Sequence, residues 1–384
     1  MFWERHPSSI NYPPDDDYYF RYLANKRPKH DLGDIFNPAL NVQEKGAASV
    51  VLPSVVALVS DSGNVEVSEG SGTVIESNNA RTIVLTTANL IRRPTDGAFV
   101  ENHLIDDLKV IVYYRGGGYA GEVVAFDYHY NLAAISFQPQ VPLPTAKIAV
   151  VDDSLDVPPS LPSFELRPHA NLYKLRPGAE VVAVGRFFYK PFGSMVVPGA
   201  YWLDRCRYDS KELLKASCTI IKCGEGGPLV NLFGEVIGIT YCDRGSTPFM
   251  PISIVLKWWE HFKTYRKYRR PLLGMEAGNF YSADIDVIER VNQLFPSVCS
   301  GVFVEMVKQG SSADLAGLCV NDVIIECVGK RVKSFLEFFE MIWENVGNHV
   351  NLVVVRQHKV EPLHLTMFVN EATVDQFNRW PNRI

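Results

Sequence analysis

The sequence predicts a mainly β protein: a barrel or sandwich of short strands, followed by a smaller domain of mixed α and β structure. Three observations carry this. Val-, Ile- and aromatic-rich runs recur between Gly, Pro and Asn turns from about residue 50 to about residue 240. No long amphipathic helical period interrupts them. Beyond residue 250 the pattern changes, and helical spacing alternates with strand-like runs. A chain of 384 residues is long enough for two or three domains that each bury a core.

Taken in order, residues 1–46 mix Pro, Asp, Asn and Lys with an aromatic patch, Tyr18 to Leu23, and read as an extended or partly disordered arm. The strand-like runs follow: "SVVALVS", "GSGTVIES", "TIVLTTANL", "LKVIVYY", "GEVVAFD", "LAAISF", "EVVAVGRF", "CTII" and "GEVIGIT". "RGGGYAG" (Arg115–Gly121) has no Lys-Ser/Thr or helix after it, so it reads as a hairpin turn and not as a phosphate loop. Ile254, Val255, Trp258, Trp259 and Phe262 then fall at helical spacing, and the basic "YRKYRRP" reads as a linker. A short helix near "SSADLAGL", strands "DVIIECV" and "VNLVVVRQ", and a helix "SFLEFFEMIWEN" complete the chain. The resulting division is an arm at 1–46, a β domain at 47–265, a second domain at 266–371 and a tail at 372–384.

Composition narrows the function. A net charge of −5 gives no footing for nucleic-acid binding. No apolar run approaches the ~18 residues of a membrane span. The N-terminus lacks an apolar leader core and carries Asp15, Asp16 and Asp17, so no targeting segment is expected. The seven cysteines all lie from Cys206 onward, without a CxxC pair, which predicts reduced thiols and a cytoplasmic or nuclear protein. No His/Cys spacing suits zinc, so neither metal nor cofactor is expected. "NKRPKHD" (Asn25–Asp31) reads as a solvated charge cluster, with a nuclear-import signal as the alternative.

The segment "KCGEGGPLVNLFGEVIGI" (Lys222–Ile239) is the one most suggestive of chemistry. Two glycines and a proline permit a sharp turn before a β-hairpin, and such a turn can aim backbone N–H groups at one point as an oxyanion hole. In this frame it resembles the HtrA/Deg family of trypsin-like serine proteases. "PSVVAL", "GSGTVIES", "IVLTTANLI", "GEVVAFDYHYNLAAISF", "LRPGAEVVAVGRFF" and "PFMPISIVLKWW" extend the resemblance in family order over about 48–265. The resemblance implies a trypsin-like double β-barrel.

Carried over position by position, the family's catalytic histidine falls on Asn89, its aspartate on Asn131 and its serine on Glu225, while an oxyanion-hole glycine falls on Cys223. An amide is no base, a carboxylate is a poor nucleophile toward amides, and Asn131 cannot stabilise an imidazolium. Loss of such a triad costs about 10⁶-fold in kcat. The resemblance therefore implies a pseudoprotease with none of the catalytic positions intact. A Cys223–His129 pair is conceivable as a replacement, but Cys223 is offset from the elbow position by two residues. The rival readings are an active endopeptidase with non-standard residues and a scaffold whose β-shell is purely structural.

"RPLLGM" and "SGVFVEMVKQGSSADLAGLCVNDVIIECVGKRV" resemble the PDZ domain that follows HtrA-type proteases, with Asn321 in place of Gly and Val328 in place of Asn. The resemblance implies that Leu272, Leu273, Gly274 and Met275 hold the terminus of a peptide added as a β-strand. Phe335, Phe338 and Phe339 are expected to line an apolar groove, because the aromatics of that helix cover more than one face. The implied partners are apolar protein C-termini and related subunits in a homo- or hetero-trimer, with Tyr18–Leu23 as the candidate contact.

Overall fold

The valine-rich runs of the first half close into two six-stranded barrels. The computed structural model describes residues 40–381 apart from 64, 94–98, 100, 158–171, 189–192, 204–205, 207 and 244. The aromatic patch Tyr18–Leu23 and the basic cluster Asn25–Asp31 lie outside the described residues. The chain divides into one unit made of Met1–Ala149, Gly178–Val255 and Asn378–Ile384, and another made of Val150–Pro177 and Leu256–Phe377. The sequence-based division differs in three places: Val150–Pro177 groups with the second unit, the second unit resumes at Leu256 and not after residue 265, and Asn378–Ile384 of the tail groups with the first.

In the first barrel β1 (Val55–Ser62), β2 (Val65–Ser77), β3 (Thr82–Thr87), β4 (Leu108–Tyr114), β5 (Gly117–Asp127) and β6 (Leu132–Phe137) close in the order β1-β2-β3-β6-β5-β4. Val55 through Asp61 are buried without a break, the mark of a strand covered on both faces. Between β4 and β5, Arg115 and Gly116 both have positive φ (48° and 83°), as a tight two-residue hairpin turn requires. "RGGGYAG" is thus a hairpin.

A short parallel pair, β7 (Val150–Asp152) and β8 (Leu172–Lys174), belongs to the second unit. The second barrel consists of β9 (Glu180–Arg186), β10 (Ser194–Trp202), β11 (Leu214–Ala216), β12 (Pro228–Val230), β13 (Val236–Thr240) and β14 (Thr247–Pro251). Two corrections arise here. "CTII" is not a strand: Cys218–Ile221 runs irregularly into a 3-10 turn at Lys222–Gly224. β10, β11 and β14 were not anticipated; Pro198 and Gly199 interrupt the apolar run of β10, yet it pairs with β9 from Ser194 to Ala200.

The second unit is built on β15 (Pro271–Leu272), β16 (Met275–Asn279), β17 (Val302–Val307), β18 (Val323–Cys327), β19 (Lys330–Arg331), β20 (His349–Val355), β21 (Leu363–Phe368) and β22 (Asn370–Glu371). Its main sheet runs β16-β17-β18-β20-β21, which leaves β16 at one edge. An unanticipated helix, Ile285–Leu294, buries Val287, Ile288 and Val291 against Phe280, Phe303 and Val323. The helix Phe335–Glu344 is N-capped by Ser334, whose hydroxyl accepts from the Glu337 N–H, and it packs against β16.

That helix corrects the groove expected from its aromatics. Phe335, Phe338 and Phe339 are 3%, 0% and 0% exposed, and Leu336, Ile342 and Trp343 are buried with them. Each such side chain contributes roughly 1.5–3 kcal/mol when fully buried, so none is left to line an open channel. Asn321 adopts the left-handed conformation at φ 69°, which Asn tolerates, but Val328 also does so at φ 52°. A β-branched residue there is strained.

Candidate active site

Three elements of the first unit bring the triad-position residues together. Asn89 stands in the 3-10 turn Ala88–Leu90 at the end of β3, where the Thr87 hydroxyl accepts the Asn89 backbone N–H. Asn131 stands in the turn between β5 and β6 at φ 55°, fully buried. Its carbonyl accepts from the Ala88 N–H at 3.1 Å, which ties the two turns to each other. Glu225 follows the turn Lys222–Gly224 and is 4% exposed. The Asn89 side-chain amide donates to the Glu225 carboxyl at 2.6 Å.

The elbow is held by its neighbours. Ser71 of β2 donates its N–H to the Glu225 carbonyl (2.8 Å) and its hydroxyl to the Cys223 carbonyl (2.5 Å), and the same oxygen accepts from the Arg186 N–H of β9. Gly226 has φ 78°, and a Cβ there would lie 2.3 Å from the Thr86 hydroxyl and 2.6 Å from the Ser71 carbonyl. Only glycine fits.

At the elbow the four backbone N–H groups from Gly224 to Gly227 turn inward. The N–H of Gly224 donates to the Ile221 carbonyl, that of Glu225 to Lys222, that of Gly226 to Thr240 and that of Gly227 to Gly224, all at 2.8–3.0 Å. Four successive donors are spent inside the fold. An oxyanion hole needs them aimed outward at the developing charge. Peptide orientation of this kind leaves no mark in a residue pattern.

Burial sets the electrostatics of the elbow. Burial pushes the Glu225 carboxyl up to about 7, opposed by the Asn89 amide, Lys222 and Arg92. Arg92 is 2% exposed; its Nη2 donates to the Tyr128 carbonyl at 2.6 Å and its guanidinium lies 4.8 Å from the Tyr128 ring centroid. Burial lowers its pKa to about 10. Arg92 and Tyr241, whose hydroxyl donates toward the carbonyls of Tyr130 and Asn131, are site residues that sequence reasoning missed. Arg92 is buried and the adjacent Arg93 exposed, and no residue pattern distinguishes the two.

Cys223 is 1% exposed. His129 is buried, packs edge-on to Tyr130 and accepts from the Asn378 N–H at 3.4 Å through Nδ1. Among the described residues no group of three His, Cys, Asp or Glu is placed to hold a metal ion. No helix of the described residues is long and apolar enough to cross a membrane.

In the second unit Gly274 has φ 68°, and its carbonyl accepts from the Lys308 N–H and the Ser311 hydroxyl (both 2.9 Å). Leu273 and Met275 are each 6% exposed, and Leu272 is half-buried in β15. The loop residues therefore adjoin the edge strand β16, while the three phenylalanines lie within the core.

Comparison with known proteins agrees with this architecture. The family model for a trypsin-like peptidase domain matches residues 70–239. Protease Do-like 14 of Arabidopsis thaliana, a protein whose protease assignment is provisional, is 29% identical over 344 residues, 86% of this chain and 72% of the relative. Serine protease HTRA3 of Mus musculus is 24% identical over 292 residues, 73% of this chain. The chain spans 56% of mouse HTRA3 and 52% of mouse HTRA4. Among solved structures, the HtrA-type protease AlgW with tripeptide matches with a TM-score of 0.52 at 19% identity, covering 86% of this chain and 97% of that one. That likeness concerns the fold. The chain thus carries a trypsin-like peptidase domain and is a homologue of the Do-like/HtrA serine proteases.

Proposed function

We propose that the chain is a pseudoprotease that binds peptides or protein partners instead of cleaving them. One observation carries the reading: the elbow residue is a buried carboxyl bonded to the Asn89 amide at 2.6 Å, where catalysis needs a hydroxyl bonded to a base. The spent N–H groups of Gly224–Gly227 support it, since stabilisation of a tetrahedral intermediate needs them free. A fluorophosphonate probe and casein hydrolysis, run beside an active relative, test this. Neither labelling nor cleavage is expected; labelling that maps to any serine of the first unit overturns the reading.

Binding is assigned to the second unit as a PDZ-like clamp. β16 ends its sheet, so a peptide strand can be added there, next to the loop at Leu272–Met275. Burial of the three phenylalanines makes this a mode of strand pairing and carboxylate capture, with little contribution from an aromatic groove.

A further inference from the structure

The last described residues return to the first unit and are fixed beside the candidate site. Trp380 is 1% exposed. Its indole N–H donates to the His129 carbonyl at 3.2 Å, and its ring centroid lies 4.9 Å from that of Tyr241 and 5.6 Å from that of Tyr208. The Asn378 side chain donates to the same carbonyl at 3.1 Å. Arg379 grips Asp209 through its backbone N–H (3.1 Å) and its guanidinium (2.7 and 3.3 Å), and that guanidinium covers the Phe99 ring at 4.7 Å. Pro381 forms an isolated antiparallel bridge with Phe99.

The location gives these contacts their meaning. The Tyr241 ring that receives the indole also carries the hydroxyl bonded to the carbonyls of Tyr130 and Asn131. Trp380 therefore stands one side chain away from a triad-position residue. The recognition is that of a peptide anchor: a large aromatic in a closed slot, its N–H satisfied by a backbone carbonyl, with a basic residue on the rim. The segment contributes no strand to either barrel. The Arg379–Asp209 pair is mostly solvent-exposed, so it sets register more than strength. Ordering the four residues Asn378–Pro381 costs free energy of the same order as burying one indole gains. Such a balance suits a contact that opens and closes.

We propose that the slot formed by His129, Tyr208 and Tyr241 is a peptide-binding site and that Asn378–Pro381 is its tethered resident ligand. The tail is a latch that withholds the slot from outside segments of the same chemistry, a tryptophan preceded by arginine. This binding site does not depend on whether the elbow is catalytically dead.

Fluorescence anisotropy on the full chain tests it, with a labelled copy of residues 376–384 (Gln376-Phe377-Asn378-Arg379-Trp380-Pro381-Asn382-Arg383-Ile384) as probe. If the tail fills the slot about nine tenths of the time, the wild type binds the probe about tenfold more weakly than a chain with the slot vacated. Trp380→Ala is therefore expected to bind it about tenfold more tightly than the wild type, with urea unfolding used to check that the variant is folded. Arg379→Glu, an exposed change that spares the core, is expected to bind the probe about threefold more tightly. A probe with alanine in place of the tryptophan is expected not to bind. The proposal is overturned if neither variant gains over the wild type, or if the alanine probe binds as well as the tryptophan probe.

Discussion

Replacing Glu225 with Gln removes a charge and keeps the shape, so it isolates what the buried carboxyl costs. The folded carboxyl titrates at about 7 against an unperturbed 4.5, because burial penalises its charged form. The folded pKa lies above the unfolded one, so the native state binds more protons between the two values and stability falls as pH rises. The penalty is absent well below pH 4.5 and complete above about 7. Integrating the linkage between pH 5 and pH 8 gives about 2.5 kcal/mol. Glu69, also pushed up to about 7 by burial, stays in both proteins and cancels in the difference. Urea unfolding of the wild type and Glu225→Gln at half-unit steps from pH 5 to 8 reads the effect. The stability difference in favour of Gln should grow by about 2.5 kcal/mol across that window, whatever constant offset the new amide adds. A difference that stays flat within about 0.5 kcal/mol refutes the desolvated carboxyl, and with it the electrostatic account of the elbow.

Other perturbations follow from the same geometry. Glu225→Ser should show no casein hydrolysis, because Asn89 and Asn131 stand at the base and carboxylate positions and the N–H groups of Gly224–Gly227 are bonded inside the fold; measurable cleavage would expose a base elsewhere. A peptide with an apolar end should bind the full chain with a free carboxylate and lose roughly 1.5–3 kcal/mol, read by calorimetry, when amidated. Gly274→Ala places a Cβ 2.5 Å from that of Ser311 at φ 68°, and should cost roughly 2 kcal/mol or more in urea unfolding while abolishing that peptide binding. Val328→Asn relieves left-handed strain at a half-exposed hairpin position, and should stabilise by about 1 kcal/mol.

The barrels were legible because β-branched runs bounded by turn residues state their own period. Nearly every run from "SVVALVS" to "GEVIGIT" became a strand, and the failures have local causes. "CTII" has strand composition, but its chain is spent entering the elbow turn, and Pro198 hid a strand whose other residues pair normally. Asn89 and Glu225 could be placed together because their flanking patterns carry the fold. The N–H directions at Gly224–Gly227 were illegible, since a flipped peptide changes no residue. The helix Phe335–Glu344 misled for a different reason. Aromatics on two faces say that both faces are covered, but not whether the cover is the chain itself or a ligand. Trp380 did leave a signal: a tryptophan flanked by Asn378, Arg379, Asn382 and Arg383 is costly unless something receives it.

Ser71 binds the elbow on one side and Arg186 of the second barrel on the other, and Gly226 can be nothing but glycine there. That backbone knot joins the barrels whether or not anything is hydrolysed. It would persist through any amount of drift at Asn89, Asn131 and Glu225, because what it holds is architecture. A census of genomes that counts glycine elbows is therefore counting folds, and the number of working enzymes among them has to be taken from the tips of three side chains.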